Sequence, residues 1–440
     1  MSSRSDAEEI FRAAVTAASA YGAVNASIKL NSKTLRISSL SSIDLKKTKR
    51  IFVIGAGKAA PAMALAIEDA IGPLIADGCI VTKYGHGRPL RYIRVIEAGH
   101  PVPDSKGLAG SRELLSIAEG SGSGDLVICL LSGGASALLP APAPGLTLKD
   151  EQRTTELLLK SGASINEMNA VRKHLSLIKG GLLARAAYPA RVLSLIVSDV
   201  VGDDLSAIAS GPTAPDPSTY LDAVSILKKY GLASKVPPAV IKRLKDGAKG
   251  RLEETPKPGE EIFRRVDNFI VANNSSALEA ARAKAESLGY NAIILSSTIT
   301  GSVREAAGFL SSIALEVKKT GNPVERPACI LMGGEPTIKV SGKGKGGRMQ
   351  EFALESALRL KGEKGITVLA GGTDGTDGPT DAAGALVDSD TISRAGKMGL
   401  DAQNFLRSND SHNFFKKAGG LLVTGPTGTN VMDVMMAILE

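Results

Sequence analysis

Residues 50–72 read RIFVIGAGKAAPAMALAIEDAIG, in which an apolar run is followed by a glycine-rich turn and then by a segment of helical period. The run RIFVIG is rich in branched apolar residues and has the length of a buried strand. Gly55 and Gly57 favour a tight turn after it, because glycine adopts backbone angles that other residues avoid. A strand, a glycine turn and a helix in this order predict the first half of a βαβ unit.

Similar apolar runs, which we predict as strands, alternate with helix-period segments along the rest of the chain. They are GCIVTK, IRVIEAG, DLVICLL and ARVLSLIVSD in the first half, and NFIVANN, NAIILSS, ACILMGG, ITVLAGG and LLVTG in the second. Runs without polar alternation are typical of parallel strands that are covered by helices on both faces. We therefore predict an α/β fold with mainly parallel sheets covered by helices.

The length of 440 residues indicates two domains, because single hydrophobic cores stop growing at about 250–300 residues. Between residues 214 and 265, prolines, glycines and paired acids interrupt the alternation, as in GAKGRLEETPKPGEE. We predict a Rossmann-like N-terminal domain at residues 1–250 and a second α/β domain at residues 251–440.

Composition narrows the classes of partner. A net charge of +8 suits an anionic ligand, whereas the absence of Trp and an aromatic content of 4% argue against nucleic acid. No apolar run approaches the roughly 18 residues of a membrane span, and the acidic start MSSRSDAEEIFRAAV does not resemble a signal peptide. Three widely spaced cysteines inside apolar runs indicate buried thiols. We expect a cytoplasmic protein with no nucleic-acid or membrane partner.

Glycine-rich loops follow several predicted strands, where ligands of α/β proteins bind. In the first loop, the N–H groups at Gly55 and Gly57 could contact an anion, and Lys58 would add a positive charge. The spacing Gly55-x-Gly57-x-x-Ala60 also fits a relaxed dinucleotide fingerprint, with Lys83 in place of the acid that NAD requires. A plain β-to-α turn is the third interpretation.

A second loop, SGGAS, follows DLVICLL and offers the small residues Ser132, Gly133, Gly134 and Ser136. Their hydroxyl and N–H groups suit carboxylate or phosphate oxygens, although a turn with a helix cap would look the same. In the later stretch NEMNAVRKHL, Asn169 and Arg172 share a helix face by spacing. They are further candidates for substrate binding, and a solvated helix face is the alternative.

Carboxylates occur in two other strand-end loops. Asp199 and Asp203 follow the apolar run LSLIV, and Asp374 and Asp377 lie in GGTDGTDGPTD. Oxygen ligands of this kind suit Mg²⁺, whereas turn-forming aspartate is the alternative. We predict these four residues as metal ligands.

Arg348 comes after Gly344, Gly346 and Gly347 in GKGKGGRMQEF and begins a predicted helix. A guanidinium in that position could bind phosphate through two donors. We also predict that Glu335, in the GGEPT loop, contacts the substrate or a phosphate group. The chain has no P-loop lysine motif and no protein-kinase HRD motif, so any phosphoryl transfer must use other residues.

Taken together, GAGKAAPAM, AGHPVPD, LSGGASALL, NAVRKHLSLIKGG, SDVVGDDLSAIASGPT, GGEPT, GKGGRMQE, AGGTDGTDGPTDAAGA and LLVTGPTGTNVMD resemble the motifs of the class II glycerate kinases. The resemblance covers residues from about 8 to 437, and the family's MOFRL region falls at about 326–437. It implies an enzyme that uses ATP and Mg²⁺ to phosphorylate the 2-hydroxyl of D-glycerate. By motif position it also implies catalytic roles for Lys58, Asp199 and Arg348.

Two other classes stay open on the residues alone. An NADP-dependent oxidoreductase of a small hydroxy acid would use the first glycine turn and Lys83. A non-catalytic sensor of sugar acids or nucleotides would bind without turnover. A homodimer is a further possibility, as the commonest state of such enzymes.

Overall fold

The computed structural model describes residues 3–31, 34–37 and 41–440. The chain forms two compact units. The first unit contains Ala20–Ser198 and Asp203–Val271, and the second contains the residues up to Ser19 together with Asp199–Gly202 and Ala272–Glu440.

The described residues form sixteen α-helices and three short 3₁₀ turns. The helices are α1 (Ser3–Ala17), α2 (Ala20–Ser27), α3 (Ala60–Ile71), α4 (Ser105–Glu119), α5 (Ala135–Leu138), α6 (Leu148–Lys160), α7 (Ile165–His174), α8 (Leu182–Ala187), α9 (Tyr220–Lys229), α10 (Pro238–Ala248), α11 (Asn274–Ser287), α12 (Val303–Thr320), α13 (Arg348–Arg359), α14 (Thr391–Lys397), α15 (Ala402–Arg407) and α16 (Ser411–Ala418). The 3₁₀ turns are Gly72–Leu74, Ile208–Ser210 and Glu261–Arg265. No helix among the described residues is both long and apolar enough to cross a membrane.

Fifteen strands occur in the same described part of the chain. They are β1 (Ile28–Asn31), β2 (Thr34–Ile37), β3 (Ser41–Asp44), β4 (Ile51–Ala56), β5 (Ile75–Lys83), β6 (Arg94–Ala98), β7 (Leu126–Leu131), β8 (Arg191–Val197), β9 (Val266–Ala272), β10 (Asn291–Ile299), β11 (Ala328–Gly334), β12 (Ile366–Gly372), β13 (Gly384–Asp388), β14 (Leu421–Leu422) and β15 (Asp433–Leu439). They form a small antiparallel sheet of β1, β2 and β3 and two six-stranded sheets.

The large sheet of the first unit has the strand order β6-β5-β4-β7-β8-β9. Strands β6, β5, β4, β7 and β8 pair in parallel. Every residue of β4 and β7 is buried, which is why RIFVIG and DLVICLL are continuously apolar. The α/β fold and the parallel first sheet are confirmed, and the carboxyl ends of β4 and β7 lie side by side.

The sheet of the second unit has the order β10-β11-β15-β12-β13-β14. Strands β10 and β11 pair in parallel, and the other neighbouring strands pair in antiparallel fashion. Four strands, β10, β11, β12 and β14, therefore run in one direction, as the expectation of a mainly parallel sheet requires. The opposed strands β13 and β15 make the sheet mixed, because β15 inserts between β11 and β12 and the connection from β12 to β13, residues 373–383, reverses the chain.

The run NFIVANN, which the sequence placed in the second series, forms β9 beside β8 in the first sheet. The interrupted segment before it contains α9 and α10, whose apolar side chains pack with those of α6 and α7 in one buried cluster. The first unit thus extends to Val271. The predicted domain boundary between residues 250 and 251 stays a prediction.

Helix α1 belongs to the second unit although it precedes the first unit in the chain. Ile10 and Phe11 are completely buried, and Lys284 on α11 lies 2.9 Å from Glu9. Gly371 on β12 leaves the space for the Phe11 ring, because a Cβ there would lie 2.8 Å from Phe11 Cε2. The second unit is therefore built from both ends of the described chain.

Candidate active site

The glycine turn after β4 uses its own N–H groups inside the protein. Gly57 N donates to Val81 O and Lys58 N to Gly133 O, at 3.0 and 2.9 Å, and Ala59 N donates to Ser132 Oγ at 3.1 Å. A Cβ at Gly57 would lie 2.1 Å from Ser132 Oγ. The lack of a side chain at Gly57 therefore allows two loops to pack closely. The N–H groups from Gly57 to Ala59 all donate within the protein, so none of them is available to an anion. The predicted anion contact of Gly55 and Gly57 stays a prediction.

The SGGAS loop after β7, unlike the glycine turn after β4, has N–H groups that are available to a ligand. No hydrogen bond within the described residues engages the N–H of Gly133 or Gly134. Gly134 has a φ of +88°, in the region that favours glycine. A Cβ at Gly134 would lie 3.6 Å from Lys58 Cγ. Two available N–H groups therefore lie beside Lys58, which forms no salt bridge with any described residue.

His100 completes this cluster, although the sequence analysis did not select it. Its ring nitrogen Nε2 would lie 3.0 Å from a Cβ at Gly134. Burial, reinforced by the charge of Lys58, lowers the pKa of His100 to about 4. The imidazole is therefore neutral at neutral pH, and Lys58 carries the positive charge of the cluster.

Ser136, Asn169 and Arg172 come together in the first unit, where the sequence had made them candidates for one site. The Ser136 and Ser210 hydroxyls lie 2.7 Å apart, and Ser210 Oγ donates to Asn169 Oδ1 at 2.9 Å. Arg172 Nη2 donates to Ser136 O at 3.1 Å. This network continues from the SGGAS loop, so the Arg172 guanidinium lies along the same loop as the Gly134 N–H.

A small cavity adjoins this network. Its lining includes Ser136, Glu151, Arg172 and Lys179. Burial lowers the pKa of Lys179 to about 8, and Lys179 Nζ donates to Leu139 O at 2.8 Å. Arg172 and Lys179 bring two cationic groups to this cavity against the one carboxyl of Glu151, whose pKa is raised by burial. This excess of basic groups suits a carboxylate or phosphate.

The second unit holds Arg348 between two acids at the start of α13. Its Nη1 donates to Glu335 Oε1 at 2.8 Å. Its Nη2 donates to Asp433 Oδ1 at 3.2 Å, and its Nε lies 2.6 Å from Asp433 Oδ2. Burial raises the pKa of Asp433 to about 7, and the guanidinium opposes that shift. The structure thus brings Arg348 and Glu335 together and adds Asp433, which the sequence analysis missed.

The two aspartates of the GGTDGTDGPTD loop have different surroundings. Asp377 is buried and accepts from Met349 N at 3.1 Å and from Gln350 N at 2.8 Å, so its carboxylate caps α13. Burial raises the pKa of Asp377 to about 6. Asp374 is half-buried, and within the described part of the chain its carboxylate accepts a single turn bond, from Thr376 N to Oδ1 at 2.9 Å. Of the two predicted metal ligands, Asp374 has the more available carboxylate.

Asp199 and Asp203 lie in the loop that follows β8, and both are partly exposed. Asp203 has a φ of +57°, which is uncommon for a residue with a side chain. Across the described residues, no group of three His, Cys, Asp or Glu could hold a metal ion by itself. The predicted metal roles of Asp199 and Asp203 stay predictions.

Short sequence signals could have revealed the residues that were missed. His100 lies in AGHPVPD and Asp433 in TGPTGTNVMD, two segments that contribute to the family resemblance. His100 directly follows the predicted strand IRVIEAG, but its loop is not rich in glycine, and Asp433 begins β15, which was not predicted. Their proximity to Lys58 and Arg348 depends on tertiary structure.

Each unit of this α/β protein thus carries its own cluster of cationic side chains, one around Lys58 and one around Arg348. Residues 6–245 match the family model "Domain of unknown function (DUF4147)", and residues 328–433 match the MOFRL family. A glycerate 2-kinase of Pyrococcus horikoshii is 45% identical over 427 residues, which are 97% of this chain and 95% of that protein. A crystal structure of glycerate kinase from Thermotoga maritima has a TM-score of 0.89 and 40% identity, covering 99% of each chain.

A protein of Agrobacterium vitis named putative hydroxypyruvate reductase is 44% identical over 406 residues, 92% of this chain and 90% of its own. These similarities extend over nearly the whole chain and include both family models. The chain belongs to the class II glycerate kinase family.

Proposed function

We propose that the protein transfers the γ-phosphate of ATP to the 2-hydroxyl of D-glycerate and releases 2-phosphoglycerate and ADP. The observation that carries this proposal is the similarity to a glycerate 2-kinase along 97% of the chain. Phosphoryl transfer depends on positioning and on neutralising charge, rather than on covalent chemistry by the protein. Cationic side chains and available N–H groups at strand ends are the parts that such a reaction needs.

We assign phosphate oxygens to Lys58 and to the N–H groups of Gly133 and Gly134. A lysine with no salt bridge among the described residues and two available N–H groups form a set of donors that needs no rearrangement when an anion binds. His100 beside them is neutral at neutral pH and would not compete with Lys58 for the anion. Ser132, whose hydroxyl accepts from Ala59 N, would fix the loop.

Ser136, Asn169 and Arg172 are assigned to D-glycerate. Arg172 would pair with the substrate carboxylate, because a guanidinium presents parallel N–H donors that match two carboxylate oxygens. The hydroxyl chain from Ser136 through Ser210 to Asn169 offers both donors and acceptors to the substrate hydroxyls. Asp199 would orient or deprotonate the 2-hydroxyl.

Arg348 and Glu335 are the residues of the second unit to which we assign a role. Arg348 would neutralise charge that develops on the transferred phosphoryl group. Glu335 contacts one of its terminal nitrogens at 2.8 Å and would be an auxiliary anionic partner of the guanidinium.

The donor set fits Mg²⁺ if the ion enters with the nucleotide. Mg²⁺ is commonly held by one or two carboxylates together with substrate phosphates and waters. Asp374 offers Oδ2, whereas both oxygens of Asp377 already accept N–H groups of α13. Bound Mg²⁺ supplies charge neutralisation on the phosphates. We keep Asp374 as the candidate ligand, with Asp199 and Asp203 as further candidates.

The reaction is tested by incubating the purified protein with ATP, Mg²⁺ and D-glycerate and following products by ³¹P and ¹³C NMR. We expect signals of 2-phosphoglycerate and ADP. Formation of 3-phosphoglycerate would keep the kinase but overturn the 2-position. Hydrolysis of ATP that does not depend on glycerate would overturn the acceptor.

The second candidate is an NADP-dependent oxidoreductase, favoured by the name of the Agrobacterium relative and by Gly55-x-Gly57-x-x-Ala60. The hydrogen bonds of Gly57 N and Lys58 N argue against it, since a pyrophosphate would have to displace both. Fluorescence titration with NADPH, with and without excess ATP, separates the candidates. Oxidation of NADPH by hydroxypyruvate would establish the oxidoreductase.

We also propose a cytoplasmic location and keep a homodimer as a prediction. All three cysteines are free thiols buried on β5, β7 and β11, which is compatible with a reducing compartment. Sedimentation at several protein concentrations would report the oligomeric state.

A further inference from the structure

The guanidinium of Arg348 is held on one edge by a single buried carboxylate. Its Nε and Nη2 contact the two oxygens of Asp433 at 2.6 and 3.2 Å, and its Nη1 contacts Glu335 at 2.8 Å. A guanidinium has five N–H donors. Hydrogen bonds engage one donor on Nη1 and one on Nη2, whereas the close contact between Nε and Asp433 Oδ2 is an ion pair without hydrogen-bond alignment. One N–H on Nη1 and one on Nη2 therefore remain for another acceptor.

Asp433 is far more fixed than Glu335. The exposed fraction of the side chain is 3% for Asp433 and 44% for Glu335, with 31% for Arg348. Asp433 begins β15, and its partners in the register on both sides are glycines, Gly334 and Gly372. The carboxylate thus has space beside the backbone of β11 and β12, and solvent cannot reach it.

The backbone around Asp433 is also held. Asn274 Nδ2 donates to Val431 O and to Asp433 O, both at 2.9 Å. Met432, between them, has a φ of +70°, an angle that non-glycine residues adopt only when the surroundings impose it. Asn274 therefore fixes the entry into β15 and, through it, the point from which the Asp433 side chain begins.

We propose that Asp433 is the positioning residue of the second unit: it clamps Arg348 through Nε and Nη2 and so aims the two remaining N–H donors at the transferred phosphoryl group. The proposal rests on the role given to Arg348 in the proposed function. Asp433 itself touches neither substrate, and Glu335 is an auxiliary contact. Two-point contact fixes the plane of the guanidinium, which one exposed carboxylate cannot do.

The experiment is a double-mutant cycle on kcat and KM for ATP and D-glycerate with Asp433→Asn, Arg348→Ala and the double variant. Asparagine keeps the shape but turns an N–H₂ group or a single oxygen toward the guanidinium. We expect Asp433→Asn to lower kcat by about 10- to 100-fold, since misplacing a catalytic group by about 1 Å can cost that much. KM should change less than about threefold, and in the Arg348→Ala background the substitution should change kcat by no more than about twofold.

Asp388→Asn is the matched control, because Asp388 also pairs with an arginine of the second unit, Arg4, at 2.5 Å, away from Arg348. It should leave kcat unchanged. If Asp433→Asn does not fold, as judged by a lost thermal transition, Arg348→Lys replaces it. Lysine keeps the charge but cannot form the two-point contact, so its kcat should fall by a similar factor.

The outcomes separate the two proposals. Normal activity of Arg348→Ala would overturn the role of Arg348 in the proposed function. If Arg348→Ala lost activity but Asp433→Asn and Arg348→Lys kept full activity, only the positioning role of Asp433 would be overturned. An equally large effect of Asp433→Asn with and without Arg348 would show that Asp433 acts by another route, which also contradicts the inference.

Discussion

Gly57 and Gly134 lie at the ends of neighbouring strands, yet they serve different purposes. Gly57 lacks a side chain so that Ser132 can approach it, and the N–H groups of its turn are used within the protein. Gly134 adopts a positive φ and leaves its N–H available beside Lys58. A glycine-rich sequence therefore does not reveal by itself which loop binds an anion.

Replacing Gly57 by alanine tests the close packing of the two loops. Its φ of +137° and the 2.1 Å approach to Ser132 Oγ both oppose a side chain. We expect a loss of unfolding free energy of about 2–4 kcal/mol, combining backbone strain and overpacking, and a large drop in kcat/KM. Urea unfolding and a coupled ADP assay measure the two effects.

Gly145→Ala is its control, because Gly145 has a φ of +84° and no atom lies within 4 Å of the position that a Cβ would occupy. It should cost only the backbone term, about 1–2 kcal/mol, with kcat/KM unchanged. Equal effects of the two substitutions on kcat/KM would mean that the contact with Ser132 does not shape the site.

Asp377 and Asp374 are expected to separate stability from activity. Asp377→Ala removes the acceptor of two N–H groups of α13 and should lower the unfolding free energy by about 1–3 kcal/mol. Asp374→Ala should lower it by less than about 0.5 kcal/mol and should raise the Mg²⁺ concentration needed for half-maximal activity. Chemical denaturation and a Mg²⁺ titration of activity measure both; the reverse pattern would exchange the two roles.

At the scale of elements, the strands with continuous apolar runs were predictable and the connections were not. RIFVIG and DLVICLL predict β4 and β7 because both faces are buried. The strand β15 was not predicted although it is wholly buried, because its run DVMMAIL has no glycine turn and helix after it. The partner of a strand depends on tertiary packing, which is also why NFIVANN could not be assigned to the first sheet.

The same limit applies to the candidate site. Six candidate site residues could be selected from the sequence because each belongs to a strand-end loop or to a helix face with an unusual charge pattern. They are Lys58, Ser132, Gly134, Asn169, Arg172 and Arg348. Asp433 could not, since a carboxylate at the start of a strand has no local signature. Asp377 stays a predicted metal ligand, and its role as the cap of α13 could not be predicted because capping from a distant loop leaves no mark on spacing.

The helical cluster of α6, α7, α9 and α10 depends on an acid from the segment after it. Glu254 accepts from Tyr220 N at 2.9 Å and contacts His174 Nε2 at 2.9 Å and Lys257 Nζ at 3.1 Å. Burial opposes ionisation, but these partners lower the pKa of Glu254 to about 2. A carboxyl whose pKa is lowered on folding stabilises the protein above its unfolded pKa, and this contribution is lost as the pH falls toward about 2.

Glu254→Gln should therefore reduce the thermal midpoint by a few degrees at pH 7 and by progressively less below about pH 4. Thermal unfolding followed by circular dichroism between pH 3 and pH 7 measures the difference. Glu253→Gln is the control, because the Glu253 side chain is 80% exposed. A difference in thermal midpoint between wild type and Glu254→Gln that increased as the pH fell would contradict this account.

At the scale of the whole molecule, the second unit takes α1 from one end of the chain and β15 from the other. Phe11 of α1 is completely buried where Gly371 makes room for its ring. The helix also forms a hydrogen bond from Tyr290 to Asp6, at 2.7 Å. The second unit is therefore incomplete without α1, which precedes α11 by more than 250 positions in the sequence.

Phe11→Ala should destabilise the second unit by about 3–5 kcal/mol, the usual cost of emptying a buried aromatic site. Phe309, on α12 of the same unit, is 54% exposed, so Phe309→Ala should cost little. Limited proteolysis combined with urea unfolding would show whether the loss falls on the segment from Ala272 onward. Equal stability of the two variants would mean that α1 does not contribute to that core.

The position of β15 sets an order of events on the ribosome. This strand follows every other strand of its sheet in the chain, yet it lies in the interior between β11 and β12. While residues 20–271 emerge and can already collapse, α1 has no sheet to cover and keeps Ile10 and Phe11 exposed. The apolar face of α1 can thus be covered fully only after β12 and β15 have been synthesised.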